Sequence, residues 1–202
     1  QQSEDKARIH LVSITSADEF ELSLKLQSLE IERKTLQDLF NQGQINERVF
    51  YEFESELDLQ QDALEFPEVY KSRAVEEGGK IKARSSYRQR IMRWREFIRT
   101  FPVISKFVGL KEENIIIDRY ALLRVRIITS EKVLEYLNRV SNIVSIKPLH
   151  QIIKNKIDYQ NTLISSNNEE ITDLEDKNKD ITKKYQKELL LNLITQRSSE
   201  YA

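Results

Sequence analysis

The chain has 202 residues, of which 39% are hydrophobic, 32% charged and 8% aromatic, with a formal net charge of −1. That is enough apolar material for one domain of ordinary size, or two small ones. Four Gly and three Pro are too few for the turns of an all-β sandwich. The absence of Cys excludes disulfides, thiolate catalysis and Cys-based zinc or iron–sulfur sites. A near-neutral balance gives no reason to expect a nucleic-acid partner.

No run of eighteen apolar residues occurs, so the sequence predicts no membrane span. The opening stretch QQSEDKARIH has no basic start, apolar core or small-residue cleavage pattern, and does not read as a signal peptide. Met92 is the only Met, and the chain reads as a piece of a longer or processed polypeptide.

In chain order, Ser16 followed by Asp18 and Glu19 is an N-cap with an acidic first turn. Phe20, Leu24, Ile31, Leu36 and Leu39, with Leu22, Leu26, Leu29 and Phe40, recur at helical spacing up to Gly43, which suits a left-handed C-terminal position. Asn46 caps a second helix carrying Val49, Phe50, Phe53, Leu57, Ala63 and Leu64 to Phe66, ahead of Pro67. Residues 16–66 therefore form an αα-hairpin. Residues 67–77 read as a short helix with Pro at its first position.

A basic amphipathic helix follows at 80–101, with Tyr87, Ile91, Trp94, Ile98 and Phe101 on one stripe. Residues 102–110 are a connector. Residues 112–128 alternate like a strand around Leu123, Val125 and Ile127, but Ile116, Tyr120, Leu123 and Ile127 also fit a helix. No second strand exists to pair with them, so helix is preferred. Ser130 with Glu131 is expected to cap a new helix through Val133, Leu134, Leu137 and Val140, and Pro148 to open another with Ile152, Ile153 and Ile157. The further helices thus occupy 112–166. A long C-terminal helix is expected at 169–196 after Asn168, with Ile171, Leu174, Asn178, Ile181, Tyr185, Leu189 and Leu193 on its stripe. The fold class is all-α, a single helical bundle over 16–196.

Candidate chemistry fails on spacing. The two histidines, His10 and His150, have Ala7 and Lys147 three residues before them, so the Glu-x-x-His pattern of di-iron bundles is missing; so is His-Glu-x-x-His. Gly78-Gly79-Lys80 lacks the earlier Gly of a phosphate loop (Ala74 stands there) and its hydroxyl residue (Ile81 follows). Glu52, Glu54, Glu56 and Asp58 fall on two helix faces and do not converge on a cation. No catalytic, cofactor-binding or metal-ligating residue is expected, no cofactor is implied, and an enzyme is disfavoured.

Charge patterning is more informative. Residues 80–99 hold eight basic residues against Glu96, a net of +7, whereas residues 47–77 hold ten acidic residues against Arg48, Lys71 and Arg73, a net of −7. The two blocks suit each other within one bundle, or the basic helix with Trp94 suits an anionic lipid surface. No recognised nucleic-acid module surrounds it.

Three stretches carry a family resemblance. Leu36–Phe40, Gly43, Ile45, Asn46, Val49, Tyr51 and Glu56-Leu57-Asp58, within LEIERKTLQDLFNQGQINERVFYEFESELDLQQ, resemble a hairpin that recurs in the cytosolic C-terminal tails of bacterial sodium/proton (monovalent cation/proton) antiporters. DRYALLRVRIITSEKVLEYLNRV is similar to the Arg-rich helix that follows in such tails. ITKKYQKELLLNLITQRSSEYA resembles the start of a second copy of the charged helix. Together they cover about half of the chain. The resemblance implies a regulatory or assembly domain at the cytoplasmic face of the bacterial inner membrane. Its implied partner is the membrane-embedded part of the same polypeptide, with a second copy of the chain as a further candidate. The ion-binding carboxylates of that family lie in membrane helices, so none is carried over. The competing expectation is a free-standing soluble helical adaptor or scaffold.

Overall fold

The computed structural model describes residues 16–67 and 112–200. The described residues form an all-α bundle: α1 (Ala17–Asn41), α2 (Glu47–Glu65), α3 (Glu112–Ile143), α4 (Lys147–Lys177) and α5 (Lys179–Glu200), with no strand among them. The short helix expected at 67–77 and the basic helix expected at 80–101 lie outside the described residues, apart from Pro67.

The first hairpin is built from local signals. The Ser16 Oγ accepts from the Glu19 N–H at 3.2 Å, and the Asn46 Oδ1 from the Val49 N–H at 3.0 Å. Each occupies a donor that the first helical turn leaves without a partner. Between them α1 ends in a Schellman turn. The Gly43 N–H donates to the Phe40 carbonyl and the Gln44 N–H to the Leu39 carbonyl, and Gly43 has φ 61°, a conformation in which a Cβ would clash. The chain thereby reverses within residues 42–45, and α2 returns along α1.

The hairpin closes over α3. Leu29, Leu36, Leu39, Ile45, Val49, Phe50, Phe53 and Leu57 pack with Ala121, Leu122 and Val125 in one apolar cluster. A second cluster joins Phe20 and Leu24 of α1 to Val133, Leu137 and Val140 of α3 and Ile153 of α4. In a third, Tyr120 and Leu123 meet Leu174 of α4. Ile153 lies near the start of α4 and packs near the end of α3, while Leu174 lies near the end of α4 and packs near the start of α3. The two long helices are therefore antiparallel, joined through residues 144–146, with Pro148 in the first turn of α4.

Two boundaries differ from the sequence expectation. Ser130 does not cap a helix, because α3 runs unbroken through it. Ser130 and Thr129 are both buried, and the Thr129 hydroxyl donates to the Arg126 carbonyl at 3.2 Å, a back-bond that lets a hydroxyl residue sit inside a helix. Asn168 is an exposed interior residue of α4 and starts nothing. The break falls at Asn178, with φ −133° and ψ 41°, whose Nδ2 donates to the Leu174 carbonyl at 3.1 Å. It is a sharp change of direction. Gln186 Nε2 reaches Glu175 Oε1 at 2.7 Å across eleven residues, which in one straight helix would span about 16 Å.

The packing makes two outcomes measurable by urea unfolding. Leu57 is fully buried, so Leu57→Ala is expected to cost about 2–5 kcal/mol. Ser130→Ala removes no cap and should not bring the loss of about 1 kcal/mol that removing an N-cap does.

Candidate functional site

Polar side chains pin the helices together at defined heights. Asn46 serves twice: while its Oδ1 caps α2, its Nδ2 donates to Asp118 Oδ1 at 2.9 Å. Arg48 Nη1 donates to the other Asp118 oxygen at 2.9 Å. Asp118 is itself buried, and a buried carboxylate needs such partners to remain charged. Arg126 of α3 pairs with Glu56 of α2, and both are largely shielded. Arg33 of α1 bridges Asp58 at 2.8 Å and Gln61 at 2.9 Å on α2.

A second polar group lies where α3, α4 and α5 meet. The Tyr120 hydroxyl donates to Glu175 Oε1 at 2.9 Å, and Gln186 Nε2 donates to the Tyr120 oxygen at 2.7 Å. The rings of Tyr120 and Tyr185 meet edge to face at 5.9 Å, and the Tyr185 hydroxyl reaches the Gln44 carbonyl in the first hairpin. Arg119 holds Glu170 at 2.6 Å, and Lys184 holds Glu113 at 3.1 Å. These contacts seat α5 across α3. A small cavity of about 10 Å³ lies under Tyr185, between Leu39, Ile45, Ala121 and Val125, with room for one water molecule and nothing larger.

The residues weighed for chemistry fall as follows. His150 is exposed on α4; His10 and Gly78-Gly79-Lys80 lie outside the described residues. Of the acidic cluster, Glu56 turns to Arg126 and Asp58 to Arg33. Among the described residues no group of His, Asp and Glu could hold a metal ion, and no helix is long and apolar enough to cross a membrane.

The outside of the bundle offers further candidate surfaces. The end of α5 exposes Leu190, Leu191 and Ile194 at 58%, 54% and 57%, although Leu189 between them and the bundle is buried. These three side chains are neighbours at helical spacing. The outer face of α2 exposes Tyr51 at 63% and, past its end, Phe66 at 56%, among carboxylates. Sequence periodicity placed Leu189 and Leu193 on the apolar stripe of α5. The Asp118 and Tyr120 groups gave no such signal, since their partners are some 50 to 70 residues away in the chain.

Burial raises the Tyr120 phenol above its ordinary value; the Gln186 bond opposes this and the Glu175 carboxylate adds to it. Burial likewise raises Tyr136 and Tyr185. The folded chain thus holds these protons to higher pH than the unfolded one. The contribution to stability is complete below about pH 10 and is lost as pH rises through the raised values. Ultraviolet titration should show Tyr120, Tyr136 and Tyr185 ionising later in the native protein than in urea, with Tyr120→Phe removing one late step. Asp118→Ala leaves Asn46 and Arg48 without their acceptor and should cost about 1–3 kcal/mol in thermal or urea unfolding.

No family model, curated protein or solved structure matches this chain.

Proposed function

We propose that the chain is a regulatory and assembly domain of a membrane cation/proton antiporter, held at the cytoplasmic face of a bacterial inner membrane and without catalytic activity of its own. The observation that carries the reading is the first hairpin. The residues that resemble antiporter tails are the ones that make it a packed unit: Gly43 turns the chain, Asn46 caps α2 and reaches Asp118, and Leu36, Val49 and Leu57 are buried. Glu56 and Asp58 of the Glu-Leu-Asp run bind Arg126 and Arg33.

On this reading ion passage belongs to the membrane-embedded part of the same polypeptide. The domain acts by contacting one transporter state more favourably than another, a coupling that is typically worth about 1–3 kcal/mol. The open reading frame upstream of Gln1 is expected to encode a series of apolar spans, and a frame without them sinks the proposal. In membrane vesicles, deleting residues 16–196 from that full-length protein should shift the cation or pH dependence of exchange about 5- to 150-fold while leaving exchange itself intact.

A second reading, a helical adaptor, is favoured by the exposed end of α5. Leu190, Leu191 and Ile194 leave an apolar patch of the kind that marks contact surfaces, and a second copy of the chain would cover it. Sedimentation at rising concentration should then show self-association that Leu190→Glu with Ile194→Glu abolishes. A monomer at all concentrations excludes this use of the patch.

A further inference from the structure

Helix α2 has two unlike faces. Val49, Phe50, Phe53 and Leu57 are buried against α1 and α3. Glu47, Tyr51, Glu54, Asp58, Asp62 and Glu65 follow one another at spacings of 4, 3, 4, 4 and 3, so they share one stripe, exposed except at half-buried Glu54. Asp58 is held by Arg33 and Glu65 accepts from Gln61. Glu47, Glu54 and Asp62 have no cation beside them among the described residues. Like charges at helical spacing repel, so among the described residues the stripe carries three carboxylates without a counter-charge.

The same chain carries that counter-charge. Residues 80–99 have a net of +7. At helical spacing Arg84, Arg88, Arg95 and Arg99 border the apolar series Tyr87, Ile91, Trp94, Ile98 and Phe101. The 19 residues of α2 are about 28 Å long, and a 20-residue basic segment in helical form is about 30 Å. The residues between Glu65 and position 80 can extend about 45 Å, enough to bring the segment back along all of α2. Tyr51 and Phe66, both exposed, offer apolar ground for its aromatic residues.

We propose that the outer stripe of α2 is the docking surface for the chain's own basic segment, residues 80–99, so that Trp94 and its neighbours are covered when the segment is seated. Salt, an anionic surface or a polyanionic partner would compete with the stripe, which makes the seat a site of regulation. This holds whether or not the chain belongs to an antiporter.

Trp94 is the only Trp, so acrylamide quenching of its fluorescence in the full 202-residue chain reads the seat directly. Glu54→Lys with Asp62→Lys should raise the quenching constant about threefold, and so should moving wild type from low salt to about 1 M, where the screening length falls to about 3 Å. Arg88→Glu with Arg95→Glu should do the same, and combining all four reversals should return quenching toward wild type. Circular dichroism checks that helix content is retained. Should a reversal unfold the chain, Glu54→Gln with Asp62→Asn and the wild-type salt series decide the question alone. Quenching that is indifferent to salt and to both reversals overturns the proposal. So does protection of Trp94 that appears only with vesicles of anionic lipid and is equal in wild type and in the Glu54→Lys, Asp62→Lys variant, which would assign the segment to a membrane.

Discussion

Everything in this bundle is arranged around one stretch of α3. Tyr120, Ala121, Leu122, Leu123 and Val125 are all buried, which no surface helix with a single apolar stripe can achieve. Ala121, Leu122 and Val125 face the first hairpin, whereas Tyr120 and Leu123 face α4. A helix that is apolar on opposite sides must be covered on both, so α1 and α2 are required on one flank and α4 on the other. The other end of α3 continues the pattern, with Val133, Leu137 and Val140 between Phe20 and Leu24 of α1 and Ile153 of α4.

Apolar burial of this kind is non-directional and does not by itself choose the height at which helices meet. The polar pairs do that. Asp118 accepts from Asn46 and Arg48 only if the start of α2 lies beside the start of α3. The Arg126 pair with Glu56 sets the same alignment about two turns further along. On the other flank, Tyr120, Glu175 and Gln186 hold each other only when the chain bends at Asn178. Because Asp118 and Tyr120 are buried, a slip of register would strand a carboxylate or phenol away from water, which is costlier than losing an exposed ion pair. Gln160, buried in α4, is a partial exception: its Oε1 has no hydrogen-bond partner.

The same arrangement explains why function is sought on the outside. Among the described residues the apolar clusters leave a water-sized cavity under Tyr185, and Asp118 and Tyr120 are occupied by partners on neighbouring helices. The exposed features differ in kind: an acidic stripe along α2 and an apolar end on α5. Both are suited to recognition by contact, which is what a domain that biases or assembles a larger protein requires.

Local chemistry in the sequence determined the helices and the first hairpin. Ser16, Gly43, Asn46 and Pro148 act on their immediate neighbours, so their roles can be read without knowing the fold, and all four stand where they were expected. The apolar spacing that placed Leu36, Val49 and Leu57 inside depends only on helical periodicity. Tertiary structure decided the rest. The strand-like look of residues 123–127 arises because that helix is buried on more than one face, a fact about its neighbours rather than about itself. Ser130 and Asn168 resemble caps, but long-range burial and uninterrupted backbone bonding override such weak local preferences. Asn178 becomes a break because α5 finds its partners at Glu113, Tyr120 and Glu175. Asp118 became a junction in the same way, since its two donors lie some 70 residues earlier and only the folded chain brings them together.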